Sequence, residues 1–138
     1  MTVKITGLPL EEIVPDVKAG LDLAMEATLN HQQEALGIGN PKDTGRMASS
    51  WAISKGGRSK FVRSEDWAPK GAQRYVKYEY PRKITFEGNW FIINNVPYAE
   101  IICYDYLAKV PKAQKDWYTS IANQTENVFQ AKLREIQS

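Results

Sequence analysis

Cysteine and histidine are almost missing from this chain of 138 residues, because Cys103 is its only cysteine and His31 its only histidine. One cysteine excludes an internal disulfide. The two counts together exclude thiolate zinc clusters, paired-histidine zinc sites and Cys-x-x-Cys redox motifs within one chain. Cys103 lies in the apolar run 101–104, which is typical of a small buried side chain. We therefore expect no catalytic residue, metal site or cofactor, and no enzymatic activity.

Long apolar runs are missing as well. The longest, such as residues 90–93, are far too short to cross a bilayer. The N-terminal residues 1–5 lack the apolar region of a secretory signal, and residues 55–60 lack the spacing of a Walker phosphate loop. We expect a protein made in the cytoplasm, with no membrane partner. A hydrophobic fraction of 43% and a charged fraction of 25% predict one globular domain over residues 1–138.

Hydrophobic periodicity predicts the main elements. Apolar residues recur every three to four positions in residues 10–36 and 113–136, which predicts two long helices. Gly37 and Gly39 are predicted to end the first helix, and Pro15 either opens or kinks it.

Between these helices the pattern predicts strands, turns and loops. The expected elements are a short helix ending at Ser50, a strand at 51–55, a long basic and partly mobile loop at 56–73, a strand at 74–80, a hairpin of 84–87 with 90–94, a short helix at 96–102 and a loop at 104–112. The predicted fold class is α+β: an antiparallel sheet with two long helices packed on one face and a long basic loop.

Charge is distributed unevenly, although the net charge is only +2. Residues 1–36 carry a charge of −4 and residues 55–83 a charge of +6. Opposite signs on one small domain favour head-to-tail pairing between copies.

The turn at residues 40–45 contains Asp43-Thr44-Gly45. Asp43 or Thr44 is predicted to cap the short helix, and Gly45 to keep the backbone uncrowded where another segment approaches. Aspartic proteases also use Asp-Thr-Gly, but they need two such aspartates and an apolar strand before each. The capped turn is the preferred interpretation, and a hydrolase built on Asp43 is a remote alternative.

The segment 55–83 mixes aromatic and basic side chains in a pattern compatible with nucleic-acid binding. A solvated surface, or a surface that meets an acidic neighbour, is the preferred interpretation, because no known nucleic-acid-binding motif accompanies the pattern. The residues predicted to form a subunit or DNA-channel interface are Arg58, Lys60, Phe61, Arg63, Trp67 and Lys70. We expect the loop to become ordered on assembly, with its two aromatic side chains anchored in a neighbouring subunit.

Two short motifs carry a family resemblance. The first, P-x-D-T-G-R-(hydrophobe)-x-x-S, begins at Pro41 and contains Asp43, Thr44, Gly45 and Arg46. The second, N-x-V-P-Y-A, includes Pro97, Tyr98 and Ala99. Together they resemble the neck and tail-completion proteins of tailed bacteriophages of the Hong Kong ninety-seven type. The chain departs from that pattern after the second motif, where Cys103 replaces a favoured glutamate and Asp105 a favoured glycine.

The resemblance implies a structural virion protein at the head–tail junction. Such a protein forms a ring of its own copies. Six-fold symmetry of the ring is favoured, and twelve-fold symmetry is the alternative. It contacts the head connector or stopper on one side and the tail-tube or terminator protein on the other, and DNA passes through without sequence specificity. A tail terminator that caps the tube is the related alternative, and a small nucleic-acid-binding regulator is the alternative from another class.

Overall fold

The computed structural model describes residues 1–6, 15–105 and 116–137 of the chain. Three strands, β1 (Thr2–Thr6), β2 (Trp51–Lys55) and β3 (Asn89–Asn94), form one antiparallel sheet. The helices of the described part are α1 (Pro15–Gly39), α2 (Trp117–Ala122) and α3 (Thr125–Gln137), with a 3₁₀ turn at Ala48–Ser50 and a π-helical turn at Ile101–Asp105. The predicted α+β class is confirmed.

The sheet has the order β1-β3-β2, so both partners of β3 are distant in sequence. The hairpin predicted for 84–87 with 90–94 is therefore wrong, and β1 takes the place of its first strand. The physical reason lies in Phe86, whose amide donates to the Asp22 carboxylate at 2.8 Å and whose ring stacks on Phe129. These contacts hold the segment against the helices, so it does not pair with β3.

The strand predicted at 74–80 is also wrong, since this segment has no regular secondary structure. Its polar backbone groups bind elsewhere. The amide of Val76 donates to Ser49 Oγ at 2.9 Å, and the carbonyl of Tyr78 accepts from Gln33 Nε2 at 2.7 Å. Because these bonds lead to side chains on other elements, the segment does not form a strand ladder.

One face of the sheet packs on α1. Val3, Ile92 and Ile53 align in a row across the three strands, and all are buried. They join Met25 and Leu29 of α1 in a single hydrophobic cluster. Burial of such side chains is the main stabilising contribution to a domain of this size.

Both long helices differ from their predicted bounds. Helix α1 continues through Gly37 and ends at Gly39, the second of the two glycines predicted to end it. At Gly37 the ring of Tyr75 packs so closely that a Cβ atom would overlap it. The predicted second helix is broken between Ala122 and Thr125. Gln32 Nε2 donates to the carbonyl of Ile121 at 2.7 Å and to Thr125 Oγ1 at 2.8 Å, which satisfies polar groups that the break exposes.

The remaining predictions are mixed. The strand at 51–55 and the irregular segment 56–73 are confirmed, and the short helix before Trp51 is present as the 3₁₀ turn. The helix predicted at 96–102 begins only after Pro97 and runs into the π-helical turn. The predicted helix residues 10–14 and 113–115, and most of the loop predicted at 104–112, lie outside the described residues.

Candidate functional site

The Asp43–Gly45 turn is bound to the segment 71–74. The amides of Gln73 and Arg74 donate to the carbonyls of Asp43 and Thr44 at 2.8 and 2.9 Å. The amide of Gly71 donates to Asp43 Oδ1 at 2.6 Å. The prediction that Asp43 or Thr44 caps the short helix is wrong, because the 3₁₀ turn begins after Met47 and has no side-chain cap. The carboxylate of Asp43 holds a distant loop, while Thr44 Oγ1 accepts the amide of Arg46 within the turn at 3.1 Å.

Gly45 adopts a backbone conformation that favours glycine, and another segment packs closely against it, as the sequence predicts. Its φ is +88°, in the left-handed region where side chains with a Cβ are disfavoured. A Cβ atom at this position would overlap the backbone of Arg74. Glycine is thus required both by the turn and by the segment packed against it.

The end of the first motif continues this set of contacts. Ser49 Oγ accepts the amide of Val76 at 2.9 Å and donates to the carbonyl of Arg74 at 3.1 Å. Arg46 Nε donates to the carbonyl of Arg63 at 2.8 Å. The amide of Arg63 in turn donates to Ser50 Oγ at 3.0 Å. The motif is therefore the structural centre to which two parts of the basic segment are bound.

The two motifs meet in one cleft of about 360 Å³, lined by Tyr98 and Ile102 together with residues 41–47. Asn94 links the two motifs, since its Nδ2 donates to the carbonyl of Met47 at 2.8 Å and its Oδ1 accepts the amide of Val96 at 3.2 Å. The two motifs flank the predicted strands in the sequence, which predicts that they lie close together, and they do. Within the second motif Pro97 and Tyr98 are exposed, whereas Ala99 is buried.

Lys42 lines this cleft and is hydrogen-bonded to the end of α1. Its Nζ donates to the carbonyls of Ile38 and Asn40 at 2.7 and 3.0 Å, at the C-terminal end of α1. A positive charge is stabilised there by the helix dipole. Burial lowers the pKa of Lys42 from its ordinary value.

Aromatic rings and guanidinium groups form a continuous stack along the basic segment, which we call the aromatic–arginine stack. It runs in the order Tyr78, Phe61, Arg63, Trp67, Arg74. The rings of Tyr78 and Phe61 are 4.0 Å apart, Arg63 lies 4.8 Å from Phe61 and 4.9 Å from Trp67, and Arg74 lies 4.1 Å from Trp67. Contacts of this kind contribute about 0.5–1 kcal/mol each at exposed sites.

The stack changes the interpretation of the loop. Phe61 and Trp67 were predicted to be anchors in a neighbouring subunit, but both rings already contact groups of their own chain. Arg63 also donates from Nε to the carbonyl of Ser49 at 3.0 Å. Burial and then the nearby charge of Arg74 lower the pKa of Arg63. The part of the loop from Phe61 onward is thus fixed within the single subunit, whereas Arg58, Lys60 and Lys70 remain exposed.

The described residues contain no group of three or more histidine, cysteine, aspartate or glutamate side chains placed to hold a metal ion. Cys103 is buried, and burial raises the pKa of its thiol to about 12. Such a thiol is protonated at neutral pH and is a poor nucleophile.

No protein-family model, curated protein or solved structure matches this chain. Among the helices of the described part, none combines the length and the apolar character needed to cross a membrane.

Proposed function

We propose that this protein is a structural component of the head–tail junction of a tailed bacteriophage, where it forms a ring between the head connector and the tail tube. It carries out no catalytic turnover. The observation that carries the proposal is the convergence of the two resemblance motifs in one cleft, with the first motif acting as the centre to which the basic segment is bound.

The distribution of surface charge supports assembly. Within the described ranges the one ion pair is Lys132–Glu135 on α3. Glu26 and Glu34 of α1 are exposed, as are Lys60 and Lys70 of the basic segment. Charges of both signs are thus available to pair between neighbouring copies, which favours the head-to-tail contacts of a closed ring.

An exposed apolar surface beside the cleft also supports contact with another protein. Tyr98, Ile101 and Tyr104 are 38%, 57% and 50% exposed, and they follow one another along the second motif and the π-helical turn. Several large exposed apolar side chains within one short segment favour contact with another protein.

A gene-inactivation experiment tests the proposal. Cells producing the phage with this gene inactivated are expected to accumulate DNA-filled heads and separate tails that do not join, and supplying the gene in trans is expected to restore infectious particles. Loss of DNA packaging, or of head formation, would place the protein at another step. Tails of uncontrolled length would favour the terminator role over the neck role.

A further inference from the structure

A groove at the end of β2 brings two neighbouring cations of the chain, Lys55 and Arg58, together with the distant Arg82. It has a volume of about 330 Å³ and is formed by the end of β2, the turn that follows it and the segment 78–82. Lys55, Arg58 and Arg82 line the groove together with serine and tyrosine side chains, and no acidic residue does so. We call it the basic groove.

The positive charges of the basic groove are not neutralised within the described part of the subunit. Arg58 and Arg82 are exposed, and neither forms a hydrogen bond or an ion pair with another described residue. Lys55 Nζ lies 5.5 Å from the centre of the Trp90 ring, a contact that positions the ammonium group but leaves its charge uncompensated. An anionic ligand is therefore favoured.

The aromatic side chains of the groove are already occupied. The Tyr78 ring stacks on Phe61 at 4.0 Å, and the Tyr80 ring meets Trp90 edge to face at 5.6 Å. Proteins that bind single-stranded nucleic acid through its bases present aromatic platforms on which the bases stack. Here each ring has an aromatic partner, so the chemistry of the groove favours backbone phosphates over bases.

We propose that the basic groove binds the phosphate backbone of nucleic acid through Lys55, Arg58 and Arg82, without reading base sequence. Guanidinium groups match phosphate oxygens in two-pronged geometry, and a lysine ammonium adds a point charge. A duplex presents a dense, regular line of negative charge to an open groove of this kind. An acidic segment of another protein is the competing occupant. The proposal does not rest on the assembly role.

The test measures binding of the purified full-length chain to a short fluorescent duplex as a function of salt. Three phosphate contacts predict a slope of log affinity against log salt of about −2.7, or about a 40-fold loss of affinity between about 50 and about 200 mM salt. Lys55→Gln, Arg58→Gln and Arg82→Gln are each expected to reduce the slope by about 1. Arg134→Gln removes an exposed cation from α3 and is the matched control, for which no change is expected.

Further arms of the experiment separate the alternatives. Duplexes of unrelated sequence are expected to bind equally, and single strands of the same length no more tightly than the duplex. The proposal is overturned if the duplex does not bind, or if the control variant lowers the slope as much as the groove variants. It is also overturned if the groove variants weaken binding to polyglutamate but not to the duplex, because the occupant is then an acidic protein.

Discussion

Replacing Gly45 with alanine gives the sharpest test of how the first motif holds the basic segment. Gly45 has a φ of +88°, and a Cβ atom placed on it overlaps the backbone of Arg74. The substitution therefore has two separable effects. It strains the turn, and it pushes the segment that contains Arg74 away from the motif.

The size of the effect follows from these contacts. A residue with a Cβ in the left-handed region costs about 1–2 kcal/mol. Displacing the segment also weakens the hydrogen bonds from the amides of Gln73 and Arg74 to the turn, each worth about 0.5–1.5 kcal/mol. We expect Gly45→Ala to lower the free energy of unfolding by about 2–5 kcal/mol.

Gly56→Ala is the matched control. Gly56 has a φ of +76°, but a Cβ atom at this position meets nothing within 4 Å. Only the backbone cost of about 1–2 kcal/mol is then expected. Urea unfolding of both variants measures the difference. Equal destabilisation would refute the argument that the motif and the basic segment are packed too closely for a side chain.

Other predictions concern the thiol, the loop and the broken helix. Burial raises the pKa of Cys103 from 9.0 to about 12. The stability that the buried, protonated thiol contributes to the fold is therefore fully present below pH 9.0 and is lost as the pH rises toward 12. Wild type is thus expected to lose more unfolding free energy between about pH 8 and about pH 11 than Cys103→Ala, and equal losses would contradict the burial. Trypsin is expected to cut the isolated subunit first after Arg58 or Lys60; first cuts at the arginines inside the aromatic–arginine stack would show that the stack does not fix the loop. Gln32→Leu removes two hydrogen bonds at the helix break, each worth about 0.5–1.5 kcal/mol, and is expected to cost about 1–3 kcal/mol in urea unfolding, whereas an unchanged midpoint would show that water replaces the amide.

The sequence predicts best what depends on local pattern. The strand at Trp51–Lys55 is a short β-forming segment bounded by turn signals, and both of its ends were predicted correctly. The stripe of apolar residues likewise identifies α1, but it does not identify the close contact of Gly37 with the distant ring of Tyr75. Local periodicity contains no information about that contact.

Pairing between distant segments limits the prediction elsewhere. Strand β1 has five residues, and its register is set by β3, far along the chain. The segment 74–80 has the alternation of a strand, yet its hydrogen bonds lead to Ser49, Gln33 and the Asp43–Gly45 turn. A pattern of side chains cannot distinguish an extended segment bound in this way from a strand in a ladder.

The candidate site shows the same difference between local features, which the sequence predicts, and contacts between distant segments, which it does not. The two motifs are visible in sequence, and their convergence could be expected because they flank the sheet. Lys55 and Arg82 were not selected as binding residues, although Arg58 was. The three cations share a groove only because the segment 78–82 returns to the end of β2.

Cryo-EM of intact virions tests the central proposal most directly. Reconstruction of the head–tail junction without imposed symmetry is expected to show this protein as a closed ring between the connector and the tail tube, six-fold by preference. Finding the protein in the capsid shell, or finding no copy of it in the virion, would contradict the proposal.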